Sequence, residues 1–541
     1  MQLRSLYPEV NQPFSRGDSF MPLLRKLLVV FAVLAAACTS AVWADTLRIG
    51  LSADVTSIDP HWNNSGPNVE VSTHIFDPLT LTDRNGRLIP GLATSWRAID
   101  PFTWEIKLRH GVKFHDGSDF TAKDVVFSLE RPNTLTGSPA PFTQFVKAIV
   151  GKKIVDPYTV RLKTATPYVL LPYDLNSIFI VSKKAASGAS NADFDSGRAA
   201  IGTGPYKFVS FARSDRIEMV RNDAYWGAKP AWEKVTLRLM TNDAARLAAL
   251  LSGDVDVIEN VPTQDVAMLS HNSKFKIDRQ VSWRTLFWHM DQWRNQTPDV
   301  TDKSGRPLAT NPFKDVRVRL ALSLAINREA IVSRIMEGLA IPASNLVSPG
   351  IFGHNDAIPV PAYDPERSRK LLAQAGYPDG FVLTLHAPNN RYVNDSKVAQ
   401  AVASMFAHVG ITTKVVTEPW ITYLPKARAG DFSFALIGWG SSLGDNTIKA
   451  HLATPNPKKG YGTWNFGRYS NPVLDAMLDR DFEMFDEQKR EASAKEMMAV
   501  AMKETPVIPM YHQVVTWAMR QGIDYPGRVD EFTLAQQFQR R

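Results

Sequence analysis

Cysteine is nearly missing from this chain: of 541 residues the single one is Cys38, inside the N-terminal segment. A mature chain without it has no disulfide and no thiol nucleophile, so a buried core must hold it together. Long apolar runs are missing as well. After Leu27 to Ala37, no stretch reaches the ~20 residues that a membrane span needs. The net charge is +8, and Arg4, Arg16, Arg25 and Lys26 against Glu9 and Asp18 place two of those charges ahead of Asp45. What remains is a thin excess with no basic arm, which argues against nucleic acid as a partner. There is no Gly-x-Ser-x-Gly elbow, no His-Glu-x-x-His helix and no nucleotide-binding loop, and the 11 histidines are scattered. Those absences lower the prospect of an exported hydrolase, although a carboxylate pair assembled by folding remains the alternative. His110, His115 and Asp116 lie close together but have no third metal ligand nearby, and turn chemistry accounts for Asp116-Gly117. No metal, cofactor or catalytic residue is expected.

What is present is globular: 44% hydrophobic and 21% charged residues, long enough for two or three packed units. Arg25-Lys26, the apolar run behind them and Val42-Trp43-Ala44 form the charged, apolar and cleavage regions of a secretory signal, with Met21 as the expected start. Cleavage after Ala44 is preferred to lipidation at Cys38, because the leucine of Leu34-Ala35-Ala36-Ala37-Cys38 stands one position too early for a lipoprotein box. The mature chain is therefore expected to be exported and periplasmic.

Thr46 to Leu51 alternates and reads as a strand, followed by the polar loop Asp54 to Pro67 and a helix over Val69 to Phe76. Trp62 and Asn63 in that loop are placed to meet a ligand. A strand is expected over Phe102 to Leu108, then a turn at His115-Asp116-Gly117 and a helix capped by Thr121. Further on, strands at Phe381 to Leu385 and Thr412 to Val416 alternate with a helix over Val398 to His408, the mark of α/β units. The apolar run Phe432 to Ile437 is a buried strand expected to stop at Gly438. Behind it comes a loop that carries Gly438, Trp439, Gly440, Ser441, Ser442 and Asp445. Glycines admit close approach of a bound molecule, the indole gives a flat wall, and the hydroxyls and acid give directional contacts. Pro388 to Asp395 offers a second ligand loop with Arg391 and Asn394, a guanidinium being suited to a carboxylate.

The passage Arg109 to Arg131 resembles the signature region of the family 5 extracellular solute-binding proteins, receptors of ATP-driven peptide and nickel importers. Ile201 to Phe208, Arg221 to Gly227 with Lys229-Pro230, Leu250 to Val257, Phe313 to Arg319 through Arg328, and Tyr469 to Pro472 are similar to later blocks of that family in the same order. On residue pattern alone, Arg317, Arg319 and Arg328 are helix residues expected to be solvated or paired structurally.

The resemblance implies an α/β, two-lobed periplasmic-binding-protein fold (type II, cluster C) with an extra subdomain inserted in lobe one. Placed on this chain, it gives a signal over 1–44, lobe one over 45–87 and 201–288, the insertion over 88–200, lobe two over 289–508, and a return to lobe one over 509–541. The crossings would fall near Leu286 to Asp291 and Thr505 to Tyr511. By matching position Trp420, Gly438, Trp439 and Gly440 carry over as cleft residues, together with Tyr511. Peptide receptors of the family also carry an aspartate three residues after the second tryptophan, for the ligand ammonium. This chain has Ser442 there, with Asp445 retained as a substitute. The implied function is capture of a peptide or similar small polar solute and its delivery to an ABC permease and its ATPase subunits, by a monomer. An opine, an oligosaccharide or a metal chelate remain as other ligands.

Overall fold

The structure is a computed structural model and describes residues 46–541. The signal segment, the Met21 start, Cys38 and the cleavage after Ala44 lie outside the described residues.

The first strand runs Thr46–Leu51 as expected, with Leu47, Ile49 and Leu51 in the core. It pairs in parallel with Val257–Glu259 and belongs to a 12-stranded sheet. Two strands dominate that sheet, Phe275–Met290 and Val507–Arg520, lying antiparallel against each other. Their register breaks between Val281 and Thr285 and again between Leu286 and Phe287. On one side of the break Val515, Trp517 and Met519 pack with Leu47 and Ile49. On the other, Leu286, Trp288 and Met290 pack with Met510 and Tyr511 in a separate core. One pair of strands thus serves two cores, and the bulge at 282–284, which kinks and twists the ladder, marks where one gives way to the other. Arg319 and Arg328 are paired structurally, as one arm of the expectation had it, and are buried and not solvated. Their guanidiniums donate to the carbonyls of Glu504 and Thr505 and of Pro509 and Ser323, tying their helices to the returning strand.

The segment 88–200 builds its own four-stranded antiparallel sheet, ordered Ala93–Asp100, Thr103–Leu108, Thr159–Thr164, Ile149–Asp156. Helix Ala122–Glu130 packs on it, and its cap is the expected Thr121, reciprocated by Asp124 in a capping box. Trp104, Ile106, Phe120, Val125, Leu129 and Leu162 give this part a core of its own.

In the second half, Val382–Pro388 pairs in parallel with Thr412–Glu418 and with Phe434–Gly440. The connecting helices are Asp395–Ala407 and Trp420–Ala429. This is the strand-helix-strand alternation that parallel pairing requires. Two expectations need correcting. The last strand does not end at Ile437 but continues through Gly440, because Arg284 to Met290 supply ladder partners for Gly440 back to Phe434. Asp445 is not in a loop either, since helix Gly444–His451 starts one residue before it.

Candidate functional site

The extra strand length sets the faces of the site. Gly438 and Gly440 point one way and Trp439 the other, as the two-residue repeat demands. A Cβ on Gly438 would stand 2.7 Å from the Tyr392 ring, and one on Gly440 would stand 2.5 Å from the Trp283 ring. Both glycines exist to let an aromatic lie flat on the strand. Tyr392 also donates its hydroxyl hydrogen to the Gly438 carbonyl at 3.2 Å.

Trp439, on the opposite face, is half-buried and packs against His451 and Trp464, with ring centroids at 4.7 and 5.2 Å. Its Nε1 has no hydrogen-bond partner among the described residues. His451 lies beside His289, nitrogen to nitrogen at 3.3 Å, and burial holds both imidazoles neutral, His289 at about 3.

Arg391 lies beside Trp420 and Tyr392, with its guanidinium carbon 5.5 and 5.6 Å from the two ring centroids. Trp420 is the first residue of its helix, and its ring meets that of Tyr392 edge-on at 5.9 Å. The Arg391 side chain keeps contact with solvent, yet the protein walls around it and the nearby Arg284 charge hold its pKa below the ordinary arginine value. No carboxylate forms an ion pair with it among the described residues. Arg284, by contrast, forms a forked pair with Glu531, Nη2 to Oε2 at 2.8 Å and Nε to Oε1 at 3.0 Å. Burial would raise the Glu531 pKa, but Arg284, with Ser282 donating at 2.6 Å, holds it below the usual value. Glu531 also feels the Arg391 charge, and the Asp395 carboxylate accepts from the backbone N–H groups of Arg391 and Tyr392 at 3.1 Å.

The remaining expected site residues are dispersed. Asn394 is held in the left-handed region at φ 55° and donates to Thr263 Oγ1 at 3.1 Å and to the Ile335 carbonyl at 2.9 Å. Tyr511 is 1% exposed within the second core, and its hydroxyl has no partner among the described residues. Ser441 folds its hydroxyl back onto Leu443, while Ser442 lines a cavity of about 720 Å³. Asp445 is 0% exposed and lies 3.0 Å from Arg490 Nε. That corrects its assignment as a ligand contact: the helix start turns its carboxylate inward, where Arg490 engages it. Trp62 and Asn63 touch their own neighbourhood, Trp62 through Ser138, and Asn63 through Thr56 and a bridge to Ala140.

Sequence reasoning missed Trp283, Arg284 and Glu531. Their only local signal is the run Ser282-Trp283-Arg284 interrupting a β-rich stretch, because Arg284 and Glu531 are 247 positions apart.

The family model for bacterial extracellular solute-binding proteins, family 5 Middle, matches residues 87–470. Heme-binding protein A of Haemophilus influenzae is 28% identical over 454 residues, covering 79% of this chain and 79% of that protein. Glutathione-binding protein GsiB of Pectobacterium atrosepticum is 28% identical over 502 residues, covering 91% and 93%. Among solved structures, the ABC transporter-associated periplasmic binding protein DppA from Helicobacter pylori, in complex with peptide STSA, superposes with a TM-score of 0.75. That likeness covers 92% of this chain and 98% of the other at 24% identity, and is a likeness of fold.

Proposed function

Since the chain belongs to the bacterial extracellular solute-binding proteins of family 5, we propose that it captures a peptide-like solute bearing a free carboxylate and delivers it to the permease and ATPase subunits of an ABC importer. The ligand carboxylate sits on Arg391. The observation that carries this reading is that Arg391 lies beside both Trp420 and Tyr392, reachable by solvent and with no ion-paired carboxylate among the described residues. A guanidinium presents paired donors that match a carboxylate, and the aromatic walls limit competition from water. Gly438 and Gly440, with Tyr392 and Trp283 against them, line this region, while Trp439 faces the other side of the strand and Ser442 borders a separate cavity. Trp283, Arg284 and Glu531 close it at the crossing.

Ligand selects the closed arrangement only so far as it binds that arrangement better than the open one. The bulge at 282–284 is the place we assign to the hinge, because there the two long strands give up regular pairing. Residues 1–44 act as the export signal, and the bound solute leaves unaltered. The relatives' names span heme and glutathione, and both of those molecules carry free carboxylates of the kind a guanidinium binds.

Native mass spectrometry of the exported protein, followed by calorimetry with the copurified molecule, tests the reading. We expect one ligand per chain and the same molecule recovered after incubation. Recovery of a chemically converted molecule would overturn it.

A further inference from the structure

The cavity beside Ser442 lies between the inserted subdomain and the second lobe, and two contacts bracket it. Tyr173 donates its hydroxyl hydrogen to Glu487 at 2.8 Å, and the ring of Trp104 meets that of Phe485 at 5.8 Å. Inside lie two tryptophans, Trp96 and Trp104, the rings of Phe352 and Tyr173, and the cations Arg87, Arg97 and Arg490, of which Arg97 is paired with Glu105 at 3.1 Å. Arg490 is the buried one, its side chain 4% exposed. Its guanidinium carbon stands 5.0 Å over Phe352 and 5.6 Å over Tyr173. Asp445 faces its Nε at 3.0 Å, while its Nη2 has no hydrogen-bond partner among the described residues. A buried guanidinium nitrogen without an acceptor is destabilising, and an arriving acceptor removes that cost.

The lining carboxylates are already engaged. Glu487 accepts from Tyr173, and Glu491 pairs with Lys495 at 2.9 Å. Arg87, in the turn that joins the paired strands Thr80–Thr82 and Leu88–Pro90, is exposed and has no carboxylate paired with it among the described residues. The cavity therefore presents one unpaired guanidinium, Arg87, and the open Nη2 edge of a second, Arg490, whose Nε side is taken by Asp445, together with several flat rings. Charged groups held near aromatic faces at low dielectric favour an anion attached to a planar apolar body.

We propose that this cavity is a second ligand pocket that takes a carboxylate carried on an aromatic or otherwise flat apolar group, the carboxylate meeting Arg490 and Arg87 and the flat group lying against Trp96, Trp104 and Phe352. It rests on the reading of the chain as a solute receptor, and it adds to the Arg391 region a separate pocket for solutes with an acidic, ring-bearing end. Because its walls come from both the insertion and the second lobe, filling it also joins the two.

The test uses para-fluorophenylacetate as probe, followed by ligand-observed fluorine NMR on the full mature chain. We expect line broadening with the parent protein and none with para-fluorophenylacetamide, which keeps the ring and loses the charge. Arg87→Ala and Arg490→Lys should each weaken binding by about tenfold or more, which corresponds to about 1.4 kcal/mol. Arg87→Ala alters only an exposed side chain, so it remains decisive if Arg490→Lys folds poorly. No broadening with the parent, equal broadening by the amide, or undiminished binding by Arg87→Ala would each overturn the second pocket. Failure of the underlying reading shows differently, as peptide affinity indifferent to Arg391→Ala in the same preparation.

Discussion

Tyr392 and Gly438 hold each other in place: the tyrosine hydroxyl donates to the glycine carbonyl at 3.2 Å, and the ring occupies the space where a Cβ at 438 would sit, 2.7 Å away. The pair fixes the aromatic wall beside Arg391. Gly438→Ala must push the ring off the strand, an overpacking change of about 1–3 kcal/mol. Thermal unfolding should show a lowered midpoint and calorimetry a weakened ligand, whereas Gly66→Ala, where a Cβ meets nothing within 4 Å, should change neither.

Arg391→Ala should weaken a carboxylate-bearing peptide by about tenfold or more, since charge-assisted hydrogen bonds are worth roughly 1.5–3 kcal/mol. Arg391→Lys should recover part of that loss, as charge returns without the fork. Calorimetry with a tripeptide and with its C-terminal amide separates the two effects, and the amide should bind parent and Arg391→Ala alike.

Glu531→Gln leaves the Arg284 guanidinium without its forked partner at the crossing. Removing a partner from a charged, partly buried hydrogen-bonded pair costs about 2 kcal/mol. Denaturant unfolding should register that loss, and Arg284→Gln in the same background should add little, because the partnership is already gone.

Asp481, buried beside Asp445, has its pKa pushed up to about 7 first by burial and then by the Asp445 charge. Its ordinary value is 3.8. The folded state therefore binds the proton more tightly than the unfolded one, so this group's contribution to stability falls as pH rises from 3.8 to about 7 and is lowest above that range. Asp481→Asn should flatten the decline of the urea midpoint between those limits. An unchanged slope would show that the carboxyl titrates normally.

Sequence neighbours set much of this molecule. The alternation of Thr46 to Leu51 places its strand, Thr121 and Asp124 cap their helix, and the strand and helix signals from Phe381 onward give the parallel units of the second half. Gly438, Trp439 and Arg391 are legible as candidates because strand ends and the loops after them are where binding groups gather, whereas Trp420 comes from the family resemblance. Each of these rests on contacts within a few residues, which a linear pattern records.

Tertiary structure decided the rest. Gly438 and Gly440 look like loop glycines until the strand at 284–290 supplies their ladder and Tyr392 and Trp283 fill their missing side chains. Asp445 looks like a ligand acid until the helix start turns it toward Arg490, 45 positions on in the chain. Arg284 meets Glu531 only because the chain crosses between its cores on one strand and its tail folds back beside the other. Local propensity and capping act over a few residues, whereas the charge and shape of the cleft arise from packing segments that lie hundreds of residues apart, and that information is in no single window.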